Sequence, residues 1–90
     1  MILVPASAEA AFRAELANTR QRAGMTVDAL AMEIGIAPSE IARGEAGERP
    51  VDIVELFLWC RACGSTIADF AERMQQREAL PLAREALALH

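Results

Sequence analysis

The stretch GMTVDALAMEIGIAPSEIARGEAG, residues 24–47, decides the fold, because two short helices and the tight turn between them can be read from it position by position. Thr26 suits the N-cap of the first helix, where its side-chain oxygen can accept an orphan backbone N–H. Asp28 then falls in the first turn, where the helix dipole favours an anion. Leu30, Ala31 and Ile34 recur at helical spacing and define an inward face, and Gly35 ends the run. Pro38 is pre-organised for the first position of the next helix. Ile41 is that helix's apolar anchor, and Gly44 and Gly47 are expected to weaken and close it.

Working outward, Ser7 is the expected cap of a helix running to about Ala23, stopped by Gly24. Its apolar stripe holds Phe12 and Leu16, and Arg20 continues the same face four residues on. Downstream, a fourth helix follows Pro50 and reaches about Cys63, with Gly64 as its stop and Ile53, Leu56, Cys60 and Cys63 turned inward. Ser65 is the expected cap of a fifth helix, in which Ile67 and Phe70 mark the buried face. The register loosens after Gln76, and Pro81 is expected to start a last short helix through Leu89. This divides the chain into an arm at 1–7, a domain at 8–76 and a C-terminal extension at 77–90. No run of β-branched residues alternates with polar ones, so the expected class is all-α.

Residues 24–47 resemble the helix-turn-helix core of the Cro and phage-repressor (XRE-type) family. The resemblance rests on Gly24-Met25-Thr26 opening helix two, Leu30-Ala31 in its middle, and Ile34-Gly35-Ile36 at the turn. It continues with Ile41 in the recognition helix and Glu45-Ala46-Gly47 at its end, and it extends from about Phe12 to Phe70. The family's pairing of an arginine near the end of helix one with that glutamate implies an Arg20–Glu45 bridge here. The fold implied is a five-helix, repressor-like helix-turn-helix domain with a short C-terminal helical extension. Gly24, Gly35 and Ile41, with the Arg20–Glu45 pair, are its expected structural residues.

The resemblance implies a transcriptional regulator that binds DNA as a dimer, with Ser39, Arg43 and Arg49 at the nucleic acid. Where the family usually carries glutamine at the start of helix two, this chain has Val27, and the first turns of helix three read Ala37, Pro38, Ser39 and Glu40. Between Met25 and Cys60 there are seven acidic residues (Asp28, Glu33, Glu40, Glu45, Glu48, Asp52, Glu55) against Arg43 and Arg49. Phosphate neutralisation drives most non-specific DNA affinity, so such a surface forfeits much of it. A second reading therefore stands beside the first. In it the domain is turned to protein contact, in the manner of an antitoxin, anti-repressor or co-regulator, with weak DNA binding or none.

Helix four carries more apolar residues than one face can bury. Val54, Phe57, Leu58 and Arg61 cannot all join Ile53, Leu56, Cys60 and Cys63 in the core, so they are expected at an interface, most simply a homodimer. Leu82 and Leu89 are expected to contribute to it, the alternative being that Leu82–Leu89 folds back and covers the patch. Trp59 is expected to be shared between core and interface.

Composition excludes other classes. The chain has 90 residues, enough for one domain, and 53% of them are apolar, which separates it from disordered chains. Its cations are all arginine and its net charge is −4. Cys60 and Cys63 share a helix face, a zinc site needs about four ligands, and the one histidine is the terminal His90, so the cysteines are read as free buried thiols with no metal site. No Ser/His/Asp or Cys/His set and no glycine-rich phosphate loop occurs, which argues against an enzyme. No cofactor or small-molecule site is indicated. The opening Met1-Ile2-Leu3-Val4 lacks the form of a signal peptide and no segment is long enough to span a membrane, so the expected location is cytoplasmic.

Overall fold

The computed structural model describes the backbone of residues 6–88 and the side chains of residues 8–77. Five helices account for it: α1 (Ala6–Arg22), α2 (Val27–Ile34), α3 (Pro38–Ala46), α4 (Ile53–Ala62) and α5 (Ile67–Ala88). Among the described residues there is no strand. Helices α1 and α5 pack together, α2 lies against α3 and α4, and α1 also supports α3.

Local chemistry explains most helix ends. The Thr26 hydroxyl accepts the Ala29 N–H at 3.0 Å, and Gly35 closes α2 in the left-handed region at φ +88°. That backbone conformation costs any residue with a Cβ, which is why glycine ends the helix there. Pro38 opens α3, and the Asp52 carboxylate caps α4 by accepting the Glu55 N–H at 2.8 Å. Two expected caps are corrected. Ser7 lies inside α1, which already begins at Ala6. Helix α5 is capped by Thr66, whose hydroxyl accepts the Asp69 N–H at 3.0 Å, and the preceding Ser65 instead accepts from Arg73.

The core is built from Leu16, Leu30, Ala31, Ile41, Leu56, Trp59, Cys60 and Phe70, with Phe12 set edge-on against Phe70. Trp59 is fully buried, and its indole N–H donates to the Leu16 carbonyl at 3.2 Å, so it belongs to the core alone and is not shared with a surface. Leu56 and Cys60 are buried beside it, but Ile53, expected inside at the start of α4, is 64% exposed. Gly44 likewise differs from expectation. It does not close α3 but lies within the helix and is buried, and a Cβ there would sit 3.2 Å from Val51 and 3.7 Å from Trp59. The missing side chain lets the α3–α4 loop and the indole approach.

Helix α5 runs unbroken to Ala88, so neither the loosening after Gln76 nor a separate helix starting at Pro81 is found. The expected domain boundary between 76 and 77 falls within this helix. Proline's fixed φ fits a helix although its ring removes one backbone hydrogen bond, and the surrounding Ala, Leu, Arg and Glu are strong helix formers. Residues 1–5 of the expected arm lie outside the described residues, as does Leu89, and the Leu82 side chain is not among those described.

Candidate nucleic-acid interface

Helix α3 buries Ile41 and Gly44 and exposes Ser39, Ala42, Arg43 and Ala46. These four recur at i, i+3, i+4 and i+7, so they form one outward stripe. The stripe offers one hydroxyl, one guanidinium and two methyl groups. Val27, at the start of α2, is partly buried against the core and presents no polar group.

The helix is held rigidly from behind. Arg20 donates from Nε to Glu45 Oε2 at 2.7 Å and from Nη2 to Glu45 Oε1 at 3.0 Å. Its Nη1 donates to the Met25 carbonyl at 2.9 Å. One guanidinium thus joins the end of α1, the turn before α2 and the last turn of α3. Its hydrogen bonds to Glu45 raise its pKa further, more than burial lowers it. Gly24 turns the chain after α1 at φ +69°, and Ile41 is completely buried beneath the stripe.

The two expected phosphate contacts of the reading helix differ in their surroundings. Arg43 is about half exposed and, among the described residues, pairs with Glu40 alone, with Nη1 3.1 Å from Oε1. Arg49 is 13% exposed and enclosed by acceptors. Its Nε donates to the Glu40 carbonyl at 2.8 Å and lies 3.0 Å from Glu40 Oε2. Both of its terminal nitrogens bond the Glu55 carboxylate, and Nη1 also donates to the Pro50 carbonyl. The bonds to Glu55 raise its pKa. Arg49, expected at the DNA backbone, also fastens the α3–α4 loop through these bonds.

The network that sequence reading missed lies on α1 and α5. Glu15 is 1% exposed and receives Arg73 Nε at 2.7 Å, Arg77 Nε at 2.9 Å and Asn18 Nδ2 at 3.0 Å. Burial pushes its pKa up, but the hydrogen bonds from Arg73, Asn18 and Arg77 together outweigh this and hold it below the ordinary value. Glu15 shares its helix face with the buried Ala11 and Thr19, and nothing local to it in the sequence announces the two arginines.

Cys60 is buried and Cys63 half-buried, and both are free thiols. Burial pushes the Cys63 thiol up to about 11, and the Cys60 thiol is raised by the same cause. Among the described residues no group of three or more His, Cys, Asp and Glu gathers as a metal would require. No described helix is long and apolar enough to cross a membrane.

Residues 11–73 match a family described as a helix-turn-helix domain, and that range holds α1 from its sixth residue through the first turns of α5. The chain belongs to the helix-turn-helix domain family. Among solved structures it is similar to the clp gene regulator ClgR from Corynebacterium glutamicum. One structure of that protein is 30% identical with a TM-score of 0.74, over 90% of this chain and 86% of the other. A second is 27% identical with a TM-score of 0.72, over 81% of this chain and 95% of the other. A comparison with curated proteins finds no match.

Proposed function

We propose that this chain is a transcriptional regulator of the Cro and phage-repressor type, binding duplex DNA as a dimer through an unusually acidic surface. The observation that carries this reading is the outward stripe Ser39, Ala42, Arg43 and Ala46 on a helix tied down by Arg20 and Glu45. A rigid helix with small residues along its exposed face can approach the floor of a major groove closely. Ser39 can bond base edges or phosphate, Arg43 can take a guanine or a phosphate, and alanine methyls can pack on thymine methyls. Likeness to a clp gene regulator over nine-tenths of the chain supports a role in transcription.

The dimer draws support from α4. Ile53, Val54 and Phe57 are large exposed apolar residues, Leu58 is half-buried, and the Arg61 guanidinium lies 5.4 Å above the Phe57 ring. An apolar face of this kind on a small domain usually marks a contact. A second copy related by a two-fold axis would cover it and set two α3 helices on one duplex. The protein-contact reading is favoured by a different observation, that both arginines of the α3 region already hold carboxylates.

A salt titration with random-sequence duplex separates the two. With Arg49 engaged elsewhere, the regulator should bind with a shallow slope of about two per dimer, at ~0.9 for each phosphate contact. Absence of binding at low salt overturns the regulator and leaves the protein-contact reading.

A further inference from the structure

We infer that Glu40 is a positioning residue for DNA contact: it restrains the one arginine of the reading stripe and thereby limits what Arg43 contributes. The inference rests on the DNA-binding reading above and names a control within that same site. Glu40 lies in the first turn of α3, three residues before Arg43. Its carboxylate is divided between two arginines, with Oε1 3.1 Å from Arg43 Nη1 and Oε2 3.0 Å from Arg49 Nε.

The two arginines are unequal, and the inequality gives Glu40 its role. Arg49 is fixed independently of the Glu40 carboxylate, by Glu55 and by the Glu40 and Pro50 carbonyls. It therefore pins one oxygen of Glu40 and leaves the other directed at Arg43. An ordinary surface pair must order two long side chains at once, which cancels most of its attraction. Here one member is already ordered, so the pair loses less entropy on forming. Arg43 meets no other carboxylate among the described residues. A DNA phosphate must therefore take Arg43 away from an oriented anion. This differs from simple repulsion, in which Glu40 would weaken binding whether or not Arg43 were present.

A double-mutant cycle separates these cases. Wild type, Glu40→Gln, Arg43→Ala and the double variant are titrated onto random-sequence duplex at one low salt concentration, read by fluorescence anisotropy. Glu40→Gln should tighten binding about two- to fivefold, the range an exposed ion pair allows. The loss caused by Arg43→Ala should be larger by about the same factor in the Glu40→Gln background than in wild type. Glu40→Ala, run in the same cycle with each variant's melting temperature checked, should give the same coupling and guards against a local effect of the glutamine. Equal gains with and without Arg43 overturn the inference and leave the DNA-binding reading standing. No binding by any variant removes that reading and the inference together.

Discussion

Arg20 and Glu45, twenty-five residues apart in sequence, meet through two parallel hydrogen bonds of 2.7 and 3.0 Å, with 13% and 12% of their side chains exposed. Removing one partner strands a largely desolvated charge. Glu45→Ala should therefore destabilise by about 3 kcal/mol. Glu48→Ala, at an exposed position, should stay within roughly 0.5 kcal/mol. For a domain of this size the difference is a melting-temperature gap of ~10 °C or more, read by circular dichroism. Equal melting temperatures would show that the bridge contributes nothing.

The Glu15 cluster should make stability depend on acid. Its folded pKa lies below the ordinary 4.5, held there by Arg73, Asn18 and Arg77 against the opposing effect of burial. A carboxylate depressed in the folded state contributes stability that is fully present above its unfolded pKa. That stability is lost as pH falls through the folded value. Wild type should thus lose melting temperature from ~pH 5 downward. Glu15→Gln should melt lower at pH 7 and show a flatter acid limb. An unchanged limb in Glu15→Gln would assign acid sensitivity to other groups.

Gly47 ends α3 at φ +75°, and a Cβ there would stand 2.3 Å from Arg13 Cδ. Gly35 has a comparable backbone, at φ +88°, with nothing within 4 Å. Gly35→Ala should cost only the left-handed strain, about 1–2 kcal/mol. Gly47→Ala should cost more, because Arg13 must also leave its place over the C-terminus of α3, where a cation is favoured. Arg13→Ala should remove the excess for Gly47→Ala, as urea unfolding of the four combinations would show. An identical cost in both Arg13 backgrounds would place the penalty in the backbone alone.

Phe57 is 49% exposed at the centre of the apolar face of α4. Phe57→Glu should lower the apparent mass in light scattering and leave the melting transition of the domain nearly intact. A wild type that is monomeric at high micromolar concentration would refute the proposed dimer.

The caps and turns of α2 and α3 were legible because each depends on one to four neighbouring residues. Thr26, Gly35, Pro38 and Gly47 act through their own backbone conformation or a hydrogen bond within a single turn. The Arg20–Glu45 contact was legible only through the resemblance, since nothing local to either residue announces the other. The cap of α5 was misplaced by one residue, because Ser65 and Thr66 have equivalent capping chemistry and Arg73, eight residues on from Ser65, holds the serine hydroxyl.

The sequence by itself determined the helical class and the α2–turn–α3 unit, both properties of composition and short-range spacing. Tertiary structure alone decided that Trp59 joins the buried face of α4, where it reaches the Leu16 carbonyl forty-three residues away, and that Ile53 stays at the surface. It also decided that Arg49 is paired within the protein, because Glu40 and Glu55 converge on it from two different helices. Glu15 could be buried only because α5 brings Arg73 and Arg77 to it. A charge enters a core when distant partners replace its water, and local sequence does not contain those partners.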